Sequence, residues 1–194
     1  ADLGRLEEAM ASYDRAIQLK PDYAEAHSNR GNTLADLGRL EEAMVSYDQA
    51  IQLKPDFAEA YSNRGNTLAN LGRLEKAMID CNRAIQLKPD SAKAYYCRGI
   101  TLKEMGEVEA AMVDYQRAIE LESEYAEARW NLSLLLLLSG DLQRGWKEYE
   151  YGKLTRKKDK RQVMPVPYPP WNGHGQPLNG KSILVQAEQG VGDE

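Results

Sequence analysis

Residues 24–57 read AEAHSNRGNTLADLGRLEEAMVSYDQAIQLKPDF, and residues 58–91 repeat 25 of those 34 positions. The same spacing runs outward in both directions. Gly4, Gly38, Gly72, Gly106 and Gly140 fall one period apart, as do Pro21, Pro55 and Pro89, with Ser123 where a fourth proline would stand. A chain that repeats at this period stacks small units, each contacting its neighbours, so its product is an extended surface rather than one globular core.

One unit holds two helices. Asp22 precedes Glu25 by three residues and Asp56 precedes Glu59 likewise, which predicts an N-cap oxygen and a reciprocal carboxylate at the start of each first helix. The third unit breaks that pattern by pairing Asp90 with Lys93. Leu37-Gly38 ends the first helix, because glycine enters the left-handed conformation of a C-terminal cap without a Cβ penalty. A second helix is predicted from about Leu40 to Leu53, stopped by Pro55, which pushes its predecessor out of the helical region. Gly31, Ala43 and Ala50 let the two helices approach closely, while Leu34, Leu40, Tyr47, Ile51 and Leu53 fill the space around the crossing. The expected fold is therefore all-α, a stack of antiparallel helix pairs.

This pattern resembles the tetratricopeptide repeat over Ala1 to about Tyr151. The resemblance implies a right-handed superhelical solenoid spanning 1–154: a half repeat at 1–23, complete repeats at 24–57, 58–91 and 92–125, and a degenerate repeat at 126–154. Arg30, Arg64 and Arg98 stand at the seventh place, where that family usually has leucine; their aliphatic stems are expected to line the helix interface while the guanidinium reaches solvent or a carboxylate. Cys81 replaces the tyrosine of Tyr13, Tyr47, Tyr115 and Tyr149 and reads as a small core thiol. Leu3, Leu6 and Met10 are expected to lack cover, which predicts self-association at that end.

In that family the first helix of each pair faces an inner groove, and its second, fifth, sixth, ninth, twelfth and thirteenth places point inward. Here the sixth place holds Asn29, Asn63, Cys97 and Asn131, and the ninth holds Asn32, Asn66, Ile100 and Leu134. A carboxamide both donates and accepts, so a column of asparagines can grip the backbone of an extended peptide whatever its side chains. The repeat arrays of O-linked N-acetylglucosamine transferases carry such a ladder, and Asn29, Asn63 and Asn131 match it; the plainer reading is that asparagine solvates an exposed face. Tyr96 and Trp130 can add apolar contact, whereas His27, Tyr61 and Tyr95 occupy a packing place. The acidic second places Glu25, Glu59 and Glu127, relieved only by Lys93, would repel the C-terminal carboxylate captured by the chaperone-binding members of the family.

Bulk composition excludes several classes. With 42% hydrophobic and 28% charged residues the chain is foldable rather than disordered. Its longest apolar stretch, within Leu132–Leu138, is far short of the roughly 20 residues that span a bilayer and reads as a buried helix face. Two cysteines and two distant histidines suggest neither a disulfide framework nor a metal site, no nucleophile, base and orienter come together, and no cofactor is expected; a reducing, cytoplasmic setting follows. The net charge of −5 conceals +5 over 153–162, read as a solvated helix end or linker or as a contact for an anionic partner, and nucleic acid is not indicated.

After Tyr149 the period fails. Residues 155–180 lead from the basic stretch into VMPVPYPPWNGHGQPLNG, whose prolines mark a linker with turns. Ile183, Leu184 and Val185 then suit a short buried strand, and Gln189, Gly190, Gly192 and Asp193 suit a phosphate- or sugar-facing loop. The ordered segments GDLQRGWKEYEYGKL at 140–154, PPWNG at 169–173, LNGKSILV at 178–185 and AEQGVGD at 187–193 resemble bacterial proteins in which repeats run into a glycosyltransferase-like domain. That resemblance implies that 181–194 opens such a domain and that the repeats recruit protein to it; the alternative is a pure assembly scaffold.

Overall fold

The computed structural model describes residues 3–156, all within one compact unit, Ala1–Arg156. Among them nine helices and no strand occur: α1 (Leu3–Leu19), α2 (Ala24–Asp36), α3 (Leu40–Leu53), α4 (Ala58–Asn70), α5 (Leu74–Leu87), α6 (Ala92–Glu104), α7 (Val108–Leu121), α8 (Ala126–Leu138) and α9 (Leu142–Arg156). The expected strand and loop at 181–194 lie outside the described residues. Within each unit the two helices pack extensively on one another, and each second helix also packs on the first helix of the next unit.

The turn inside each pair follows from its glycine. Gly38, Gly72, Gly106 and Gly140 have φ of 74°, 70°, 84° and 87°. At the first of them Gly38 N–H donates to Ala35 O and Arg39 N–H to Leu34 O, both at 2.9 Å, and the same pair of bonds recurs one and two periods later. These are the two bonds of a Schellman cap, which satisfy carbonyls the helix end would otherwise leave unpaired. Gly4 departs from this. It lies within α1, which runs unbroken from Leu3.

The N-termini correct one expectation. The residues preceding α2 and α4 are Tyr23 and Phe57, neither of which caps through its side chain, so Asp22 and Asp56 do not form the expected capping boxes. The repeat that breaks the acidic pattern is the one that is capped: the Ser91 hydroxyl accepts from Ala94 N–H at 3.3 Å. The proline signal is also weaker than expected. Glu122, which precedes Ser123, leaves the helix with φ −139° and ψ 96°, close to the −140° and 87° of Lys54 before Pro55.

Packing follows the small-against-large rule. Ala43, Ala50, Ala77, Ala84, Ala111 and Ala118 are completely buried, and a Cβ added at Gly31 would lie 2.6 Å from the Tyr47 ring. Leu34, Tyr47 and Tyr115 are buried beside them, Leu34 contributing about 1.5–3 kcal/mol of transfer free energy. In the leucine run, Leu132, Leu135 and Leu136 are buried but Leu134 and Leu138 are exposed, because five consecutive leucines encircle a helix that has only one core face. Met10 is likewise covered, in a cluster with Leu34, Ala43 and Tyr47, while Leu3 is exposed.

The seventh-place arginines bind carboxylates as expected, and they bridge repeats. Arg64 donates from Nε and Nη2 to Asp80 at 2.7 Å and from Nη1 to Asp48 at 2.6 Å. Arg30 spans Asp14 and Ser46, and Arg98 spans Asp114 and Asn82. Every partner lies 16 residues before or after its arginine, so each guanidinium ties together the two second helices that flank it. The cysteines require a correction. Cys81 and Cys97 are joined in a disulfide between α5 and α6, with Cα atoms 5.8 Å apart, so Cys81 is not a free core thiol.

Candidate interaction face

The first helices α2, α4, α6 and α8 carry all the side chains singled out for recognition. Asn29 is exposed on α2, with its carbonyl accepting from the Thr33 hydroxyl at 3.1 Å. One turn on, Asn32 Oδ1 accepts from the Tyr47 hydroxyl at 2.9 Å, which fixes the orientation of that amide. On α4, Asn63 is 5% exposed and its Nδ2 has no protein partner, while the enclosed Oδ1 of half-buried Asn66 has none either. Unpaired buried amide atoms cost roughly 1–3 kcal/mol each, so their retention on the same helix face calls for a reason.

The chemistry changes at α6. Cys97 occupies the sixth place and is consumed by the disulfide, and Ile100 stands where Asn32 and Asn66 stand earlier. Tyr96 packs 5.0 Å from Tyr125 and 5.9 Å from Tyr115, and its hydroxyl accepts from Asn131 Nδ2 at 3.1 Å. Asn131 Nδ2 also donates to Glu127 O at 3.0 Å, so this third amide of the column is held in place. Trp130 stacks at 5.0 Å on Tyr149, with Trp146 edge-on to the same ring at 5.3 Å. The face therefore has an amide half on α2 and α4 and an aromatic and aliphatic half on α6 and α8.

Two of the second-place carboxylates are paired. Lys54 bonds Glu25 at 2.9 Å, which holds that carboxyl below its usual range, and Lys93 reaches Glu59 at 3.5 Å. His27 has a structural role, its Nε2 bonded to Pro21 O at 3.0 Å. Tyr61 and Tyr95 lie half-buried beneath the arginine row, with guanidinium carbons 5.6 Å from each ring. No group of three or more potential metal ligands occurs among the described residues. The Gln189, Gly190, Gly192 and Asp193 loop lies outside them.

Two related family models match the chain, one described as TPR repeat over residues 1–38 and 31–72, the other as tetratricopeptide repeat over 58–91 and 92–125. Together they span more than half of the sequence. The chain is a tetratricopeptide-repeat protein. Solved structures agree with this assignment. The tetratricopeptide-repeat protein TTC0263 of Thermus thermophilus aligns at a TM-score of 0.71 and 25% identity, covering 81% of this chain and 86% of its own. The first repeat domain of Spaghetti (RPAP3), solved with the HSP90 peptide SRMEEVD, aligns at 0.55 and 28% identity, covering 60% of this chain and 93% of its own. MamA shares the fold at a TM-score of 0.61 and 24% identity, covering 82% of this chain and 93% of its own. No curated relative matches the sequence significantly. No helix among the described residues is long and apolar enough to cross a membrane.

Proposed function

We propose that this tetratricopeptide-repeat array binds an extended polypeptide along the face of α2, α4, α6 and α8 and recruits it to a glycosyltransferase-like domain that begins within 181–194. The observation that carries the peptide reading is the amide column, Asn29, Asn32, Asn63 and Asn66 on adjacent helices, with Asn131 continuing it at the far end. The exposed Asn29 takes the peptide backbone directly and the enclosed amides of Asn63 and Asn66 reach it by turning outward, while Tyr96 and Trp130, with Ile100 and Leu134, receive an apolar side chain. The RPAP3 domain with its HSP90 peptide supports peptide binding by the fold, but the acidic second places Glu25, Glu59 and Glu127 do not suit that acidic ligand. The transferase link rests on the segments at 140–193 and on the asparagine column; the reducing, cytoplasmic setting expected from the cysteines loses that support, because Cys81 and Cys97 are joined.

The test is an array of unstructured 15-residue peptides, with bound sequences retitrated against Asn29→Ala and Asn63→Ala variants. Loss of one backbone contact should weaken affinity about five- to tenfold per site. Unchanged affinity in both variants removes the column from the mechanism. The scaffold alternative draws on the exposed Leu138, Leu142 and Trp146, and on Leu3 at the other end. It requires concentration-dependent association in sedimentation, and a monomer at all concentrations rejects it.

A further inference from the structure

Two positions leave the repeat pattern together. The twenty-fourth place holds tyrosine in every other unit but cysteine at 81, and the sixth place holds asparagine in every other first helix but cysteine at 97. These two places belong to a second helix and the next first helix, 16 residues apart, the same separation at which the arginines cross each junction. The Tyr47 hydroxyl lies near Thr67, 20 residues on, as the Cys81 sulfur lies 3.8 Å from Thr101 Oγ1, 20 residues on. The junction at Cys81–Cys97 is thus the one place where the tyrosine of the twenty-fourth place and the asparagine of the next unit's sixth place have both become cysteine.

The exchange alters the packing around it. In the first and third complete repeats a tyrosine ring covers the eighth-place glycine, Tyr47 over Gly31 and Tyr115 over Gly99. In the second, a Cβ added at Gly65 would lie 2.7 Å from Cys97 Sγ and 2.8 Å from Cys81 Sγ, so the next repeat itself fills the space a ring occupies elsewhere. Accordingly α6 packs broadly on α4, whereas α4 touches α2 only sparsely.

We propose that the Cys81–Cys97 bond is a redox-made clamp that draws α6 onto α4 and so sets the spacing between the amide half and the aromatic half of the face. In its formation two S–H bonds break and one S–S bond forms. The two protons and two electrons pass to a small-molecule disulfide, which is cleaved to two thiols. Both sulfurs are completely buried, so exchange proceeds through transient opening of the α5–α6 junction. Breaking the bond lets α6 relax toward the looser contact that α2 makes with α4. The effect on peptide binding rests on the function proposed above; the spacing itself does not.

The experiment measures spacing without any ligand. Spin labels are attached through azide-bearing residues introduced at Asn70 and Glu104, exposed thirteenth-place positions on α4 and α6. The full chain purified without reductant should show no free thiols after denaturation and two after reduction. The label distance should lengthen on reduction by roughly 2 Å, the range over which helix spacings follow side-chain size. The double variant Cys81→Tyr with Cys97→Asn, which restores the pair of the neighbouring junctions, should hold the longer distance with or without reductant. If it does not fold, Cys97→Ser serves the same comparison. Two free thiols in the unreduced protein, or a distance that reduction leaves unchanged, overturns the proposal.

Discussion

The first two complete repeats and the last two differ in chemistry more than in backbone. In residues 24–91 a tyrosine hydroxyl finds an amide, Tyr47 to Asn32, and the most buried arginine of the row, Arg64, binds two carboxylates. In residues 92–156 the equivalent Tyr115 hydroxyl has no partner, Arg98 exchanges one carboxylate for Asn82, and Leu132 stands where the next arginine would be. The last pair is tied instead by Arg129 to Glu148, and a cleft of about 670 Å³ opens beside Leu132, lined by Tyr95, Met112, Leu136 and Arg144. The periodic glycines and alanines keep the helices in register throughout, which leaves the remaining places free to drift from polar to apolar. One stack thereby presents two surfaces.

The largest effect should come from the arginine row. Asp80 has only 6% of its side chain exposed, so Arg64→Met strands a buried carboxylate and should cost about 3 kcal/mol in urea unfolding. Arg30→Met should cost less than about 1 kcal/mol, because its carboxylate partner Asp14 is half exposed and already solvated. Equal losses in the two variants would show that burial of the partner does not set the strength of the staple.

Alkaline pH sharpens the comparison next. Burial pushes the Tyr47 phenol up to about 12, and pushes Tyr115 and Tyr125 further still, the neighbouring Tyr96 adding to both. Each folded value lies above the unfolded one near 10, so the folded state holds the proton more tightly. The resulting stability is fully present below about pH 10 and is lost as pH rises through the folded values, at about 1.4 kcal/mol per pH unit for each tyrosine involved. For Tyr47 the total is on the order of 3 kcal/mol. Tyrosinate absorbance should rise from Tyr47 before it rises from Tyr115 and Tyr125; a Tyr47 that ionises near pH 10 in the folded protein contradicts its burial.

The residues that carry the period made the backbone legible. Gly38 and its equivalents announced the Schellman turns, and Leu40–Leu53 is the predicted second helix to the residue. Local chemistry read less well. Asp22 and Asp56 look like caps in sequence, yet the helices start two residues later, and Glu122 leaves α7 with nearly the geometry of Lys54 although Ser123, not proline, follows it. The pairing of Cys81 with Cys97 was hidden, since a lone cysteine in each of two repeats signals nothing until the junction brings the twenty-fourth and sixth places together. A visible trace did exist: both cysteines interrupt columns that are otherwise constant. On the candidate face, the column could be counted from sequence, but not that Asn32 and Asn131 are held by tyrosine hydroxyls while Asn63 and Asn66 keep unpaired atoms.

The smallest effect isolates a single hydroxyl. Tyr47 and Tyr115 occupy the same place two periods apart, are buried to within 1% of each other, and cover glycines at nearly the same distance. Apart from the Tyr96 ring 5.9 Å from Tyr115, the hydroxyl environment separates them. Tyr47→Phe deletes the donor to Asn32 Oδ1 and leaves that acceptor unpaired beside the ring, which should cost about 1 kcal/mol. Tyr115→Phe removes an oxygen that is enclosed without a partner, so the desolvation cost disappears and stability should be unchanged or rise by up to about 1 kcal/mol. Because neither variant alters core volume much, a difference in midpoint with unchanged m-value reports the hydroxyl alone. If Tyr115→Phe loses as much as Tyr47→Phe, its hydroxyl is bonded in solution, and the polar-to-apolar change along the stack begins later than Tyr115.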